Sequence, residues 1–229
     1  MNNRLLCIAS HIPFGKGVID VGTDHGYLPI ELLRRGYPGS VFASDIKEGP
    51  LRAAVHSARA AGLEGRISFR LCDGLDKCEP DSIDTIVIAG MGGDTICGIL
   101  DRAEWRMDSC YTLVLQPMTH AEVLRYWLIH NEFFIEEEDI VKDAGNLYSV
   151  LVARFGGSDR LNEAELFTGA CSMLRQHRLF QDLVRQETTR FRRVLRGLEE
   201  AADREASGRY AVLRTVLTQL EEMSSYDDT

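Results

Sequence analysis

The sequence predicts a doubly wound α/β domain, with a mostly parallel sheet covered on both faces, followed by an α-helical tail. Three observations carry this prediction. Short apolar strand patterns alternate with helical ones over the first two thirds of the chain, the order that a parallel sheet with crossover helices requires. Glycine-containing turns follow several of those strands. Beyond Gly156-Gly157-Ser158 the strand patterns stop, and apolar residues recur three, four or seven apart, which is helical spacing.

Taken in order, Arg4 to His11 reads as a short helix leading into a Pro-Phe-Gly-Lys-Gly turn. Gly17–Gly22 is the first buried strand, and a helix follows at Pro29, where a missing amide hydrogen costs nothing in a first turn. Strand Ser40–Ser44, helix Gly49–Ala61, and strands Arg66–Leu71 and Ile83–Ala89 come next. Helix Thr95–Arg102, strand Tyr111–Gln116 and helix Thr119–Asn131 continue the pattern. Two last strands, Phe133–Val141 and Leu147–Phe155, meet at Asp143-Ala144-Gly145-Asn146, a hairpin turn signal. An antiparallel hairpin at this end departs from the common dehydrogenase layout.

In the tail, Asn162 with Glu165 makes a capping-box pattern, flanked by Leu161 and Leu166 as a hydrophobic staple. Met173, Phe180, Val184, Phe191, Val194 and Leu198 form one apolar stripe, and Tyr210, Leu213, Val216, Leu217, Leu220 and Met223 a second. Ser207-Gly208 separates the two runs. The expectation is a two-helix, coiled-coil-like hairpin over 157–229, distinct from a ligand-binding domain over 1–156.

Composition narrows the class. No apolar run approaches the roughly 18–20 residues of a membrane span, and the N-terminus lacks the apolar stretch of a signal peptide. Six cysteines without a Cys-x-x-Cys pair suit reduced thiols in a cytoplasm, with no metal site expected. A net charge of −9 argues against a protein that coats nucleic acid non-specifically. Locally the balance reverses: residues 175–196 carry seven arginines against Asp182 and Glu187. Arg178, Arg185, Arg192 and Arg196 are spaced to share one helix face, a row that could track phosphates.

The chemistry sits at four strand ends. Asp20-Val-Gly22-Thr-Asp24-His25-Gly26 ends the first strand, with Gly22 and Gly26 leaving room for a ligand on the sheet's carboxyl edge. Asp45 closes the second strand, where a carboxylate can grip both hydroxyls of a ribose. Asp73-Gly74 follows the third, from where a carboxylate can bind an exocyclic adenine amine. Ala89-Gly90-Met91-Gly92-Gly93 follows the fourth, with three glycines that packing explains poorly.

These ends are similar to the motifs of the Rossmann-like class I methyltransferases. Asp-Val-Gly-Thr-Asp-His-Gly-Tyr-Leu-Pro at 20–29, Ser-Asp-Ile-Lys-Glu-Gly-Pro-Leu at 44–51, Ile-Ala-Gly-Met-Gly-Gly at 88–93 and Leu-Gln-Pro-Met at 115–118 narrow the match. They resemble one bacterial family, the tRNA (adenine-N1)-methyltransferases that modify position 22, which join a catalytic Rossmann-like domain to a C-terminal coiled coil. Asp24 replaces the middle glycine of the broad class and fits this family. The resemblance implies S-adenosyl-L-methionine as cofactor, contacted by Asp20, Gly22, Gly26, Asp45, Ile46, Asp73, Gly74, Ala89, Gly90 and Met91. It implies tRNA as partner and adenine N1 as methyl acceptor, with Asp24, Tyr27 and Gln116 at the reacting base. Asp24 would offset charge growing on the adenine, although a carboxylate that ties down the loop or binds the methionyl amine reads equally well. His25 fits a loop-fixing role. No protein partner is evident, and a monomer or weak homodimer in the cytoplasm is expected. A small-molecule methyltransferase, a nicotinamide-dependent oxidoreductase and a non-catalytic RNA-binding module stay open as alternatives.

Overall fold

The computed structural model describes residues 2–76, 80–103, 108–157, 160–200 and 207–225. Cys78 and Ser158, the last residue of the expected linker, lie outside them. The chain divides into two compact units, residues 1–137 with 141–159, and residues 138–140 with 160–229.

The first unit is built on a seven-stranded sheet of order β3-β2-β1-β4-β5-β7-β6. Its strands are β1 Gly17–Val21, β2 Ser40–Asp45, β3 Ile67–Leu71, β4 Thr85–Gly92, β5 Thr112–Thr119, β6 Phe133–Asp143 and β7 Asn146–Phe155. β1 pairs in parallel with both β2 and β4, so the chain reverses its direction of sheet growth between β1 and β4. Such a switch opens a crevice at the carboxyl ends of those strands, where open α/β sheets bind ligands. β7 runs antiparallel to β5. The turn into it places Ala144 at φ 48° and Gly145 at φ 86°, the two left-handed residues of a type I′ hairpin.

Helices α1 Asn3–Ser10, α2 Tyr27–Arg34, α3 Glu48–Ala60, α4 Gly93–Arg102 and α5 Ala121–His130 accompany the sheet. Asn2 caps α1 by accepting from the amide of Leu5 at 3.0 Å. α2 begins two residues before Pro29, which sits in its first turn. The central strands are buried from both sides, so they read as continuous apolar runs and not as alternating ones. The period of two still sorts their faces. Val18, Val87 and Val114 pack with Ile8 of α1 and with Leu28 and Leu32 of α2 in one core cluster. Ile19, Ile86 and Leu113 take the other face and are equally buried. The Asp84 carboxylate ties down the turn before β1, accepting from the Lys16 amide at 2.7 Å and the Gly17 amide at 3.4 Å.

The second unit carries α6 Glu165–Thr168, α7 Cys171–Leu174, α8 Phe180–Glu200 and α9 Ser207–Ser225. The capping box forms reciprocally: the Glu165 amide donates to Asn162 Oδ1 at 2.9 Å, and the Asn162 amide to Glu165 Oε2 at 3.0 Å. α8 packs on α9, burying Phe180, Val184, Phe191 and Leu195 from one and Val216, Leu220 and Met223 from the other. Leu195 takes the buried position expected of Val194, which is exposed, and Met173 is exposed as well. Ser207-Gly208 opens α9 and is not the break between helices. Among the described residues, no helix is long and apolar enough to cross a membrane.

Candidate active site

The loop after β1 is held by backbone bonds. The amides of Gly22 and Thr23 both donate to the Ser44 carbonyl, at 2.8 and 2.9 Å. Gly22, Asp24 and Gly26 then take left-handed conformations, at φ 74°, 51° and 69°. The Met91 side chain lies directly over Gly22, in the space a Cβ would need. Glycine is therefore required there twice, by backbone conformation and by the approach of β4.

Asp45, at the end of β2, is buried and oriented by two backbone donors. Its Oδ2 accepts from the Asp24 amide at 3.3 Å and its Oδ1 from the Lys47 amide at 2.9 Å. Each carboxylate oxygen has more than one lone pair, so both can still accept from a ligand's hydroxyls. Ile46 beside it is exposed and apolar. After β3, Asp73 is bound through Oδ1 by Arg102 Nη2 at 2.7 Å, and Arg102 also reaches Asp76 at 3.5 Å.

The fourth strand end is a bulge. The β4–β5 register shifts between Ala89, Met91 and Gly92, and Gly90 turns out at φ 78°. Its amide is taken up by a side chain, donating to Gln116 Oε1 at 3.2 Å. Bulges of this kind re-aim backbone next to functional sites. Gly93 meets the His120 carbonyl with no room for a Cβ, which fixes how β4 enters α4.

Together these ends enclose a cavity of about 600 Å³, within the range of cofactor sites. Gly22, Asp24, Asp45, Ile46, Asp73, Gly74, Ala89, Gly90 and Met91 all line it. A second pocket of about 310 Å³ shares Gly22, Asp24, Ala89 and Gly90 with the first and adds Arg4, Asp20, His25 and Tyr27. Asp20 is buried there; desolvation pushes its carboxyl up from 3.8 to about 6, and the nearby Asp45 charge adds in the same direction. His25 and Tyr27 stack at 5.4 Å, leaving Tyr27 half-exposed at the pocket.

Two expected residues fall elsewhere. Gly26 lines neither space; it caps α2 and lets that helix start against Ala54 of α3. Gln116 was expected at the acceptor base, yet its side chain is fully buried. It shares the face of Val114, the α1 side of the sheet, where its Oε1 accepts from Arg4 Nη1 at 2.5 Å and its Nε2 donates to the Pro117 carbonyl at 2.6 Å. It therefore acts on the pocket through Arg4 and Gly90. Arg4 and Arg102 are the charged lining residues that the motifs did not reveal: one precedes every strand and the other ends α4, so neither belongs to a strand-end pattern.

Fold order, glycine loop and paired acids define the protein as a methyltransferase, and the methyltransferase-domain family matches residues 1–151. The chain is 31% identical over 90% of its length to the tRNA (adenine(22)-N(1))-methyltransferase of Bacillus subtilis, covering 88% of that protein. It belongs to the tRNA (adenine(22)-N(1))-methyltransferase family. The crystal structure of the B. subtilis M1A22 tRNA methyltransferase TrmK is similar at a TM-score of 0.87 and 29% identity, with 98% of each chain covered. A Streptococcus pneumoniae structure in complex with S-adenosyl-L-methionine is similar at a TM-score of 0.81 and 32% identity, covering 96% of this chain and 98% of that one.

Proposed function

We propose that the protein transfers a methyl group from S-adenosyl-L-methionine to N1 of adenine 22 in tRNA, in the cytoplasm. The observation that carries this reading is the cavity bounded by the ends of β1 to β4, where Asp45, Asp73 and the Gly22 and Gly90 turns face one space. The chemistry of those donors fits the cofactor: a doubly accepting carboxylate for ribose hydroxyls, a second for an exocyclic amine, and bare backbone for close approach.

When bound, S-adenosyl-L-methionine supplies an electrophilic sulfonium methyl. Asp45 holds the ribose, Asp73 the adenine edge, and Ile46 the ring face. N1 of the acceptor adenine already carries a lone pair, so no residue has to remove a proton before attack. The protein's part is alignment and charge: Asp24, in the wall shared by both pockets, offsets the positive charge that grows on the adenine ring. Tyr27, exposed at the second pocket, stacks on the base. The second unit contacts tRNA through exposed arginines of α8. N1 lies on the Watson–Crick edge, so the target nucleotide must leave its pair or stack, at about a few kcal/mol, and contacts beyond the base offset that cost.

Incubating the protein with unmodified tRNA and methyl-labelled cofactor, followed by nucleoside analysis, tests the reading. Label in 1-methyladenosine is expected. Label in another nucleoside, or transfer to free adenosine as efficient as to tRNA, overturns it.

A further inference from the structure

We infer that Met118 contacts the methyl acceptor: its thioether, turned out of the sheet by a bulge, forms an apolar wall against which the ring of the acceptor adenine seats. The inference rests on the methyl-transfer reading and deepens it, because it assigns the acceptor base a residue outside both cavities.

The ends of β4 and β5 slip past each other twice. Ala89 pairs with Gln116, Met91 with Pro117 and Gly92 with Thr119, so the register skips Gly90 on one strand and Met118 on the other. A skipped residue leaves the ladder, and its side chain is re-aimed. At Gly90 the result is exposed, bare backbone. At Met118 it is an apolar side chain turned towards water: Leu113, Val114 and Leu115 of the same strand are fully buried, whereas Met118 is 38% exposed. The sulfur is tethered as well. Gln116 Nε2 donates to Met118 Sδ at 3.8 Å, a weak acceptor, and to the Pro117 carbonyl at 2.6 Å. The oxygen of the same side chain takes up the Gly90 amide at 3.2 Å. One buried amide therefore fixes both the bare step and the thioether beside it.

Place decides what such a wall is for. Ala89 and Gly90 line both cavities and Met91 lines the larger one, but Met118, beside them, lines neither. It is thus available to the second reactant and not to the cofactor. In an in-line displacement the nucleophile comes to the sulfonium methyl from the side away from sulfur, so the acceptor base enters from outside the cofactor's own space. A flat ring can settle over backbone that carries no Cβ, and a polarizable thioether packs well at an aromatic ring. A tRNA phosphate would gain nothing from either.

Binding of tRNA to the full chain in the presence of S-adenosylhomocysteine tests this, with a matched pair of ligands: tRNA carrying adenine at position 22, and the same tRNA abasic there. M118A should weaken binding of the adenine tRNA by about 3- to 10-fold, the size of a sulfur–ring contact. Binding of the abasic tRNA, and of the cofactor by calorimetry, should stay within about twofold. M118L keeps an apolar wall and should restore most of the loss. Single-turnover methyl transfer should slow in M118A and recover in M118L. Equal weakening of both tRNAs overturns the inference in favour of a contact to another nucleotide. Weakened cofactor binding overturns it in favour of a cavity wall, and M118A behaving as the wild type throughout overturns it outright. If the wild type methylates a different base, and M118A slows that transfer with cofactor affinity unchanged, the wall stands and the adenine-22 reading fails.

Discussion

The backbone amide of Asp24 donates to Oδ2 of Asp45 at 3.3 Å, which joins the loop after β1 to the acid at the end of β2. One carboxylate therefore holds the loop and faces the cofactor cavity. Asp45→Asn keeps the shape but weakens acceptance from ribose hydroxyls, so cofactor affinity should fall by about 1.5–3 kcal/mol. Asp45→Ala should lose at least as much and also release the loop. Calorimetry measures both; unchanged affinity removes Asp45 from the ribose site.

Asp20 gives a pH prediction. Its folded carboxyl titrates near 6, well above the ordinary 3.8, because it is desolvated. The folded state thus keeps the proton that the unfolded chain has lost, and stability declines as pH rises from about 4 to about 6. Two units correspond to about 3 kcal/mol. Asp20→Asn should abolish that slope and melt higher than the wild type at pH 7, but not at pH 4. Cofactor binding should move oppositely, since a cationic ligand favours the ionised carboxyl: wild-type affinity tightens from pH 5 to 7, and that of Asp20→Asn stays flat. Melting and calorimetry across this range check both signs.

Gly22→Ala tests the close approach of β1 and β4. A left-handed residue with a Cβ costs about 1–2 kcal/mol, and Met91 occupies the space besides. At about 2–4 °C per kcal/mol for a chain of this size, the melting temperature should fall by several degrees. Adding Met91→Ala should recover the steric part and leave the backbone part.

Much of this was legible from residue order, because strand ends advertise themselves. Gly22, Asp45, Asp73 and Gly90 follow apolar runs, and in a parallel sheet all such ends meet on one edge. The Ala144-Gly145 turn and the Asn162–Glu165 box are local signals, and both formed. Side-chain direction was harder. Gln116 belongs to the face of Val114, but only the docking of α1 shows that this face is covered by Arg4 and not open to substrate. The arginine row suffered similarly. Arg178 precedes α8, Arg185 pairs with Asp182 at 2.6 Å, and Arg192 reaches Glu221 of α9 at 2.7 Å. Spacing shows which residues share a face, but not which acids an adjoining helix will bring.

Those ion pairs are exposed, and exposed pairs contribute about 0–1 kcal/mol, so phosphates can compete for both arginines. Replacing Arg185 and Arg192 together with Gln should weaken tRNA binding while leaving cofactor affinity unchanged. The slope of log affinity against log salt should flatten by roughly one unit or more, as fewer counterions are released. An unchanged slope means that α8 does not track the backbone there.

Primer extension across tRNA incubated with the protein and cofactor tests the central claim most directly. Methylation at N1 blocks the Watson–Crick edge, so reverse transcription should halt at adenine 22, and a tRNA carrying guanine at that position should give neither the stop nor labelled methyl incorporation. A stop at a different nucleotide, or equal incorporation into the guanine-22 tRNA, would contradict the account.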